Sequence, residues 1–211
     1  MKNLKIKKTL NFRKYCIGVN GFEFDWKLIL VMISTISGII IGSLTAKGEG
    51  SLYLNVIEVI NNYLVDNEFE TTYSVFIVYL LIPTVFAMIL FFSGMSLIGV
   101  PTACIIPFTF SLSGSIVIYY MFDAFALKGL AYIVIMLLPY LIISLLSLML
   151  LSIETIKMSQ YLIRTISKTK RNSDYNFTLY YKNYLKSYAL IIIACIIKIT
   201  IDKLFVGLFT F

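Results

Sequence analysis

Histidine is absent from this chain of 211 residues. Its absence removes His-ligated zinc sites, Ser-His and Cys-His nucleophile pairs, and imidazole proton relays. Cysteine is scarce: Cys16, Cys104 and Cys195 stand far apart, with no CxxC spacing. Neither a disulfide framework nor a dithiol redox site is supported. No GxxxxGK(S/T) loop is present to hold a nucleotide phosphate. Charge is thin too, at 14% of residues, and is missing altogether from Thr71 to Phe122 and again from Gly129 to Ile153. No pair of facing catalytic groups can be assembled from what remains. The expectation is a protein that is not an enzyme and carries no cofactor or metal.

What the chain has in place of charge is apolar length. Hydrophobic residues make up 59% of it and the mean hydropathy is +0.89. The uncharged run from Thr71 to Phe122 would reach ~78 Å as one helix, against a bilayer hydrocarbon core of ~30 Å. It must therefore fold back on itself, and the place to do so is Ser93-Gly94-Met95-Ser96 followed by Gly99-Val100-Pro101. The expected fold class is all-α, a polytopic membrane helix bundle with about five transmembrane helices. The spans fall at 28–46, 74–94, 97–121, 129–152 and 187–208, after a basic arm over 1–27. Residues 28–211 form a single membrane domain, with no room for a separate soluble one.

The arm carries Lys2, Lys5, Lys7, Lys8, Arg13, Lys14 and Lys27. It reads as a cytoplasmic anchor beside anionic lipid rather than as a nucleic-acid-binding segment. Ser43-Leu44-Thr45 would suit a signal peptidase, but the arm is long for an n-region, so the first span reads as an uncleaved anchor. Within that span Ser34, Gly38, Gly42 and Ala46 recur every four residues, a stripe that lets a second backbone approach closely. The simplest partner is another helix of this chain. The loop over 47–73 is acidic. Tyr53, Ile57, Ile60 and Leu64 share one helical face in it, and Asn55, Glu58, Asn62 and Asp66 share the other. It reads as an amphipathic helix lying along the outer membrane surface or capping the bundle, and as the best place for an extracytoplasmic partner to touch.

Pro83, Pro101 and Pro107 lie within or beside the second and third spans, and Pro139 lies in the fourth. Each frees a backbone carbonyl that neighbouring helices or hydroxyls must satisfy. An alternative is that residues 94–107 are re-entrant. After the fourth span, Ile153, Ile156, Ile163 and Ile166 oppose Lys157, Arg164 and Lys168, as in an interfacial helix. Tyr181, Tyr184 and Tyr188 then read as an interfacial belt. In the last span, Lys198 and Asp202 leave two readings open: an i,i+4 pair near the outer surface, or a buried charge facing the bundle or a partner. Of the 18 basic residues, 14 lie in the arm and in the segment joining spans four and five. That bias puts the N-terminus in the cytoplasm and the C-terminus outside, in a multi-pass protein of the cell membrane.

The chain resembles the stage II sporulation protein M family of integral membrane proteins. The similarity is carried by Gly38-Ile39-Ile40-Ile41-Gly42-Ser43, Asn61-Asn62-Tyr63-Leu64, and above all by Phe92-Ser93-Gly94-Met95-Ser96-Leu97-Ile98-Gly99-Val100-Pro101. In that last motif Gly94, Ser96, Gly99 and Pro101 match the family's turn. Leu127-Lys128-Gly129, Leu137-Leu138-Pro139 and Ile193-Ala194-Cys195-Ile196-Ile197 follow at similar places. The resemblance implies a non-enzymatic scaffold that recruits peptidoglycan hydrolases, stage II sporulation proteins D and P, to the septal membrane during engulfment. Membrane lipid and those extracytoplasmic hydrolases are the expected partners, with no nucleic acid. The alternative is a permease subunit of an ATP-driven transporter: prolines in three spans suit moving helices, and the basic cytoplasmic segment could dock an ATPase.

Overall fold

The computed structural model describes residues 26–48, 54, 72–166 and 176–205. All regular structure among them is helical: α1 (Trp26–Lys47), α2 (Thr72–Gly94), α3 (Gly99–Tyr132), a π-helical turn (Ile133–Leu137), α4 (Leu138–Ile166) and α5 (Phe177–Phe205). Two helical runs are long and apolar enough to cross a membrane, Trp26–Lys47 and the kinked run Gly99–Ile166, and Tyr79–Gly94 is a shorter apolar helix.

The run from Gly99 to Ile166 is a hairpin rather than a rod. Ala126 breaks it with φ +46° and ψ −122°, the one positive φ among the described residues. On either side the chain doubles back. Met121 packs with Tyr132, Ile133, Met136 and Leu137, Gly114 faces Leu141, and Gly99 lies against Ser159. Gly129 is pressed onto the Met121 carbonyl, with no space for a Cβ. The reversal falls between Asp123 and Lys128, the only charges between the two apolar runs.

Each remaining proline has a local consequence. Pro101 sits in the first turn of α3, where its missing N–H has no intrahelical partner to lose. Residues 99–125 continue as one helix through Pro107, ~40 Å long, with no return at 107. Before Pro139 the Leu138 N–H bonds five residues back to Ile133 O, so the helix is π-wound just where the ring would crowd the preceding turn.

The helices alternate in direction. Along α1 and α3, Ser34 meets Cys104, Gly38 meets Phe108 and Ser111, and Gly42 meets Leu112 and Ser115, so these two run parallel. Residues of α2 pair with α4 in rising order (Tyr79 with Tyr140, Leu90 with Thr155) and with α5 in falling order (Thr84 with Tyr188, Phe91 with Tyr180). Ser147 with Ser187 and Glu154 with Asn183 set α4 antiparallel to α5. Thus α1, α3 and α5 run one way, and α2 and α4 the other. The end holding Lys27, Lys157, Arg164, Lys182 and Lys186 is called here the basic end, and the opposite one the far end.

On α1 the large apolar side chains lie outside and the small ones inside. Ile33, Ile36, Ile40 and Leu44 of α1 are about half exposed, whereas Thr35, Gly38, Gly42 and Ala46 are buried. A Cβ on Gly38 would come within 2.5 Å of Phe108 O, and one on Gly42 within 2.6 Å of Leu112 O. The stripe thus lets α1 touch the backbone of α3 within the same chain.

Two sequence expectations change here. No glycine or proline interrupts residues 153–166, so α4 runs on to Ile166 and no separate interfacial helix begins after Ser152. Tyr181 is exposed, whereas Tyr184 and Tyr188 join Tyr180 in an i,i+4 ladder that packs on Phe91 of α2. These rings serve the bundle, not its rim.

Candidate functional site

The chemistry-bearing groups collect at the two ends. At the far end Lys198 of α5 is 1% exposed, and its Nζ lies 2.5 Å from Asp202 Oδ1. The same ammonium stands 4.9 Å from the ring centre of Tyr79 on α2 and 5.6 Å from that of Tyr132 on α3. A desolvated cation over aromatic faces gains ~2 kcal/mol, and the carboxylate supplies the counter-charge that a buried ammonium requires. The two readings of Lys198 are therefore both realised. It pairs with Asp202 one turn on, and it faces the bundle.

Pro83 builds the platform for this group. Its ring removes the N–H that would bond to Tyr79 O, four residues back. That carbonyl instead accepts Tyr140 Oη at 2.8 Å and Cys195 Sγ at 3.4 Å. Tyr140 also meets the Tyr79 ring edge-on, with centroids 5.1 Å apart. Residues of α2, α3 and α5 thus meet at one buried charge, and Tyr140 of α4 braces Tyr79. Spacing alone pointed to Lys198 and Asp202 but not to Tyr79, Tyr132, Tyr140 or Cys195. The available signal was that Tyr79 lies four residues before a mid-helix proline.

At the basic end the centre is the turn between α2 and α3. Met95 N and Ser96 N bond to Phe92 O and Ser93 O, and Ile98 N bonds to Ser96 Oγ. Ser96 O then accepts Ser159 Oγ of α4 at 3.1 Å. Gly94 ends α2 beneath Tyr180, whose hydroxyl donates to Phe91 O, and Gly99 opens α3 against Ser159. A Cβ at Gly94 would fall 2.5 Å from Tyr180 Oη, and one at Gly99 would fall 2.7 Å from Ser159 Cβ. Gly94, Ser96 and Gly99 are thus locked between α4 and α5, and Pro101 follows one turn into the helix. At the same end Glu154 is buried, with Lys157 Nζ 2.7 Å from Oε1 and Asn183 Nδ2 3.2 Å from Oε2.

A row of hydroxyls on α4 runs from the middle of the bundle to the basic end. Ser147 donates to Ser187 O, Thr155 to Leu90 O and Ser159 to Ser96 O. Ser34 and Ser111 do the same between α1 and α3, bonding Cys104 O and Thr35 O. The α4 row escaped the sequence reading, although residues 147, 155 and 159 recur at helical spacing. Asn55, Glu58, Asn62 and Asp66 lie outside the described residues. Comparisons of the chain with family models, curated proteins and solved structures found no match.

Proposed function

We propose that the protein is a five-span scaffold of the cell membrane, with its basic end in the cytoplasm, that positions peptidoglycan hydrolases on its outer side. The observation that carries this reading is how the polar groups are used. Hydroxyls of α1, α3, α4 and α5 are bound to backbone carbonyls of neighbouring helices, and the buried ammonium is tied to a carboxylate and two rings. In lipid such bonds and small-residue seams hold helices together. They favour a bundle that keeps its ends at fixed spacing. On α1, exposed isoleucine and leucine opposite a buried face of threonine, glycine and alanine suit an apolar solvent. The concentration of lysine and arginine at one end supports the orientation.

The segment from 49 to 71 joins the far ends of α1 and α2, and it holds Glu58 and Asp66. Charge pairs on an exposed rim govern encounter and specificity more than folding. Glu58→Lys/Asp66→Lys should therefore weaken septal localisation of the hydrolases in a sporulating host while the bundle remains intact. A second reading, a permease subunit, draws support from the buried Lys198–Asp202 pair, because intramembrane charges commonly mark transport paths. Normal hydrolase localisation in Glu58→Lys/Asp66→Lys, with loss on altering Arg164 and Lys168, would overturn the outer contact and favour the permease.

A further inference from the structure

The scaffold reading leaves unused a cleft of about 360 Å³ at the basic end, where the start of α1 meets α4 and α5. Its size falls within the ~300–1,000 Å³ of ligand pockets. Its apolar lining includes Leu28 and Leu150. Lys157 on the α4 wall and Lys186 on the α5 wall supply positive charge, and Glu154 and Asn183 complete the polar lining.

The charges in the cleft are unevenly committed. Both Glu154 oxygens are engaged, Oε1 by Lys157 and Oε2 by Asn183, so the carboxylate is neutralised within the protein. Lys157 is about one-third exposed and has ammonium donors beyond the one given to Glu154. Lys186 is exposed on the opposite wall. The mouth therefore presents positive charge. Leu150 is 44% exposed, and one turn towards the bundle's middle Leu146 is 53% exposed, so the apolar wall continues along the flank of α4.

A ligand that matches both linings has an anionic head and long apolar chains. We propose that this cleft is a binding site for an anionic phospholipid of the cytoplasmic leaflet. Its phosphate lies between Lys157 and Lys186, and its acyl chains run along Leu150 and Leu146. A soluble phosphate compound would satisfy the lysines but leave the leucine wall uncovered. Basic pockets between membrane helices on the cytoplasmic side bind lipid head groups in this manner. This assignment rests on the membrane reading above. It adds a defined lipid seat at the basic end, between the start of α1 and the facing parts of α4 and α5.

The test uses the full chain reconstituted into mixed phosphatidylglycerol–phosphatidylcholine vesicles. Flotation first reads whether the protein is embedded, and native mass spectrometry then reads which lipid is retained. Phosphatidylglycerol should be retained over phosphatidylcholine. Lys186→Glu should cause an about fivefold loss of that retention, the factor corresponding to ~1 kcal/mol per basic side chain at a membrane surface. Leu150→Trp, which fills the cleft without altering charge, should also lower retention. Arg164→Glu, an equal charge change at an exposed position of the same end, should leave it unchanged. Equal retention of the two lipids, or equal loss in Lys186→Glu and Arg164→Glu, would overturn the site while leaving the membrane reading standing. A chain that fails to float with the vesicles would overturn both.

Discussion

At the basic end, neutral hydroxyls from α4 and α5 reach the carbonyls around the 95–98 turn, and the lysines stand mostly at the surface. At the far end, one buried ammonium gathers a carboxylate and two tyrosine rings from three helices. The first arrangement spreads its stabilisation over many bonds of ~1 kcal/mol each, and losing one leaves the others in place. The second concentrates it in a single charge that cannot be left alone. The difference teaches that polarity inside an apolar bundle can be distributed over hydroxyls or focused on a charge, and that the focused form is the more fragile to one substitution.

The largest expected effect follows from breaking the focused end. Asp202→Ala leaves Lys198 buried without its counter-charge, which costs ~3–5 kcal/mol. Thermal unfolding of the detergent-solubilised protein should shift down strongly. Replacing both partners, as Lys198→Met/Asp202→Leu, should restore most of the loss, since a packed apolar pair is often as stable as a buried ion pair. If the double variant unfolds as early as Asp202→Ala, the charge is not the source of the fragility.

A smaller effect is expected midway, where α1 meets α3. Gly42→Leu drives a side chain into Leu112 O and the Ser115 Cβ, and overpacking of this kind costs ~1–3 kcal/mol. Unchanged detergent stability would mean that α1 moves aside freely and that the stripe is incidental. Smaller again is Tyr180→Phe at the basic end. It removes the bond to Phe91 O but keeps the ring stacked on Phe91, so a loss of ~1 kcal/mol is expected. A loss matching that of Asp202→Ala would erase the contrast between the ends.

Parts of this arrangement were legible in the sequence for definable reasons. Ser34, Gly38, Gly42 and Ala46 could be seen as a contact face because small residues at i,i+4 have few other uses in a long apolar helix. The turn around Gly94 and Gly99 was legible because an uncharged run of 52 residues cannot be a single span. Pro83 signalled a freed carbonyl, though not which groups would satisfy it. Spacing, however, places a residue on a face without saying what stands opposite. Tyr140 and Cys195 as partners of Tyr79 O, and Tyr132 over Lys198, depend on contacts between residues 50 to 120 positions apart. The charges at Asp123 and Lys128 marked a reversal between the spans at 97–121 and 129–152, but nothing in the sequence singled out Ala126 as the residue that breaks the helix. The start of α5 at Phe177, ten residues before the expected span, reflects a polar stretch that stays helical because its tyrosines pack on α2.

The alternating five-helix arrangement and its orientation are tested most directly by thiol accessibility on intact cells. With Cys16 replaced by serine, single cysteines are introduced as Glu68→Cys, in the segment joining the far ends of α1 and α2, and as Lys170→Cys, in the segment joining the basic ends of α4 and α5. A membrane-impermeant thiol reagent should label Glu68→Cys directly and Lys170→Cys only after the membrane is opened. Labelling of Lys170→Cys on intact cells, with Glu68→Cys protected, would contradict the orientation. Labelling of both on intact cells would contradict the proposed five crossings.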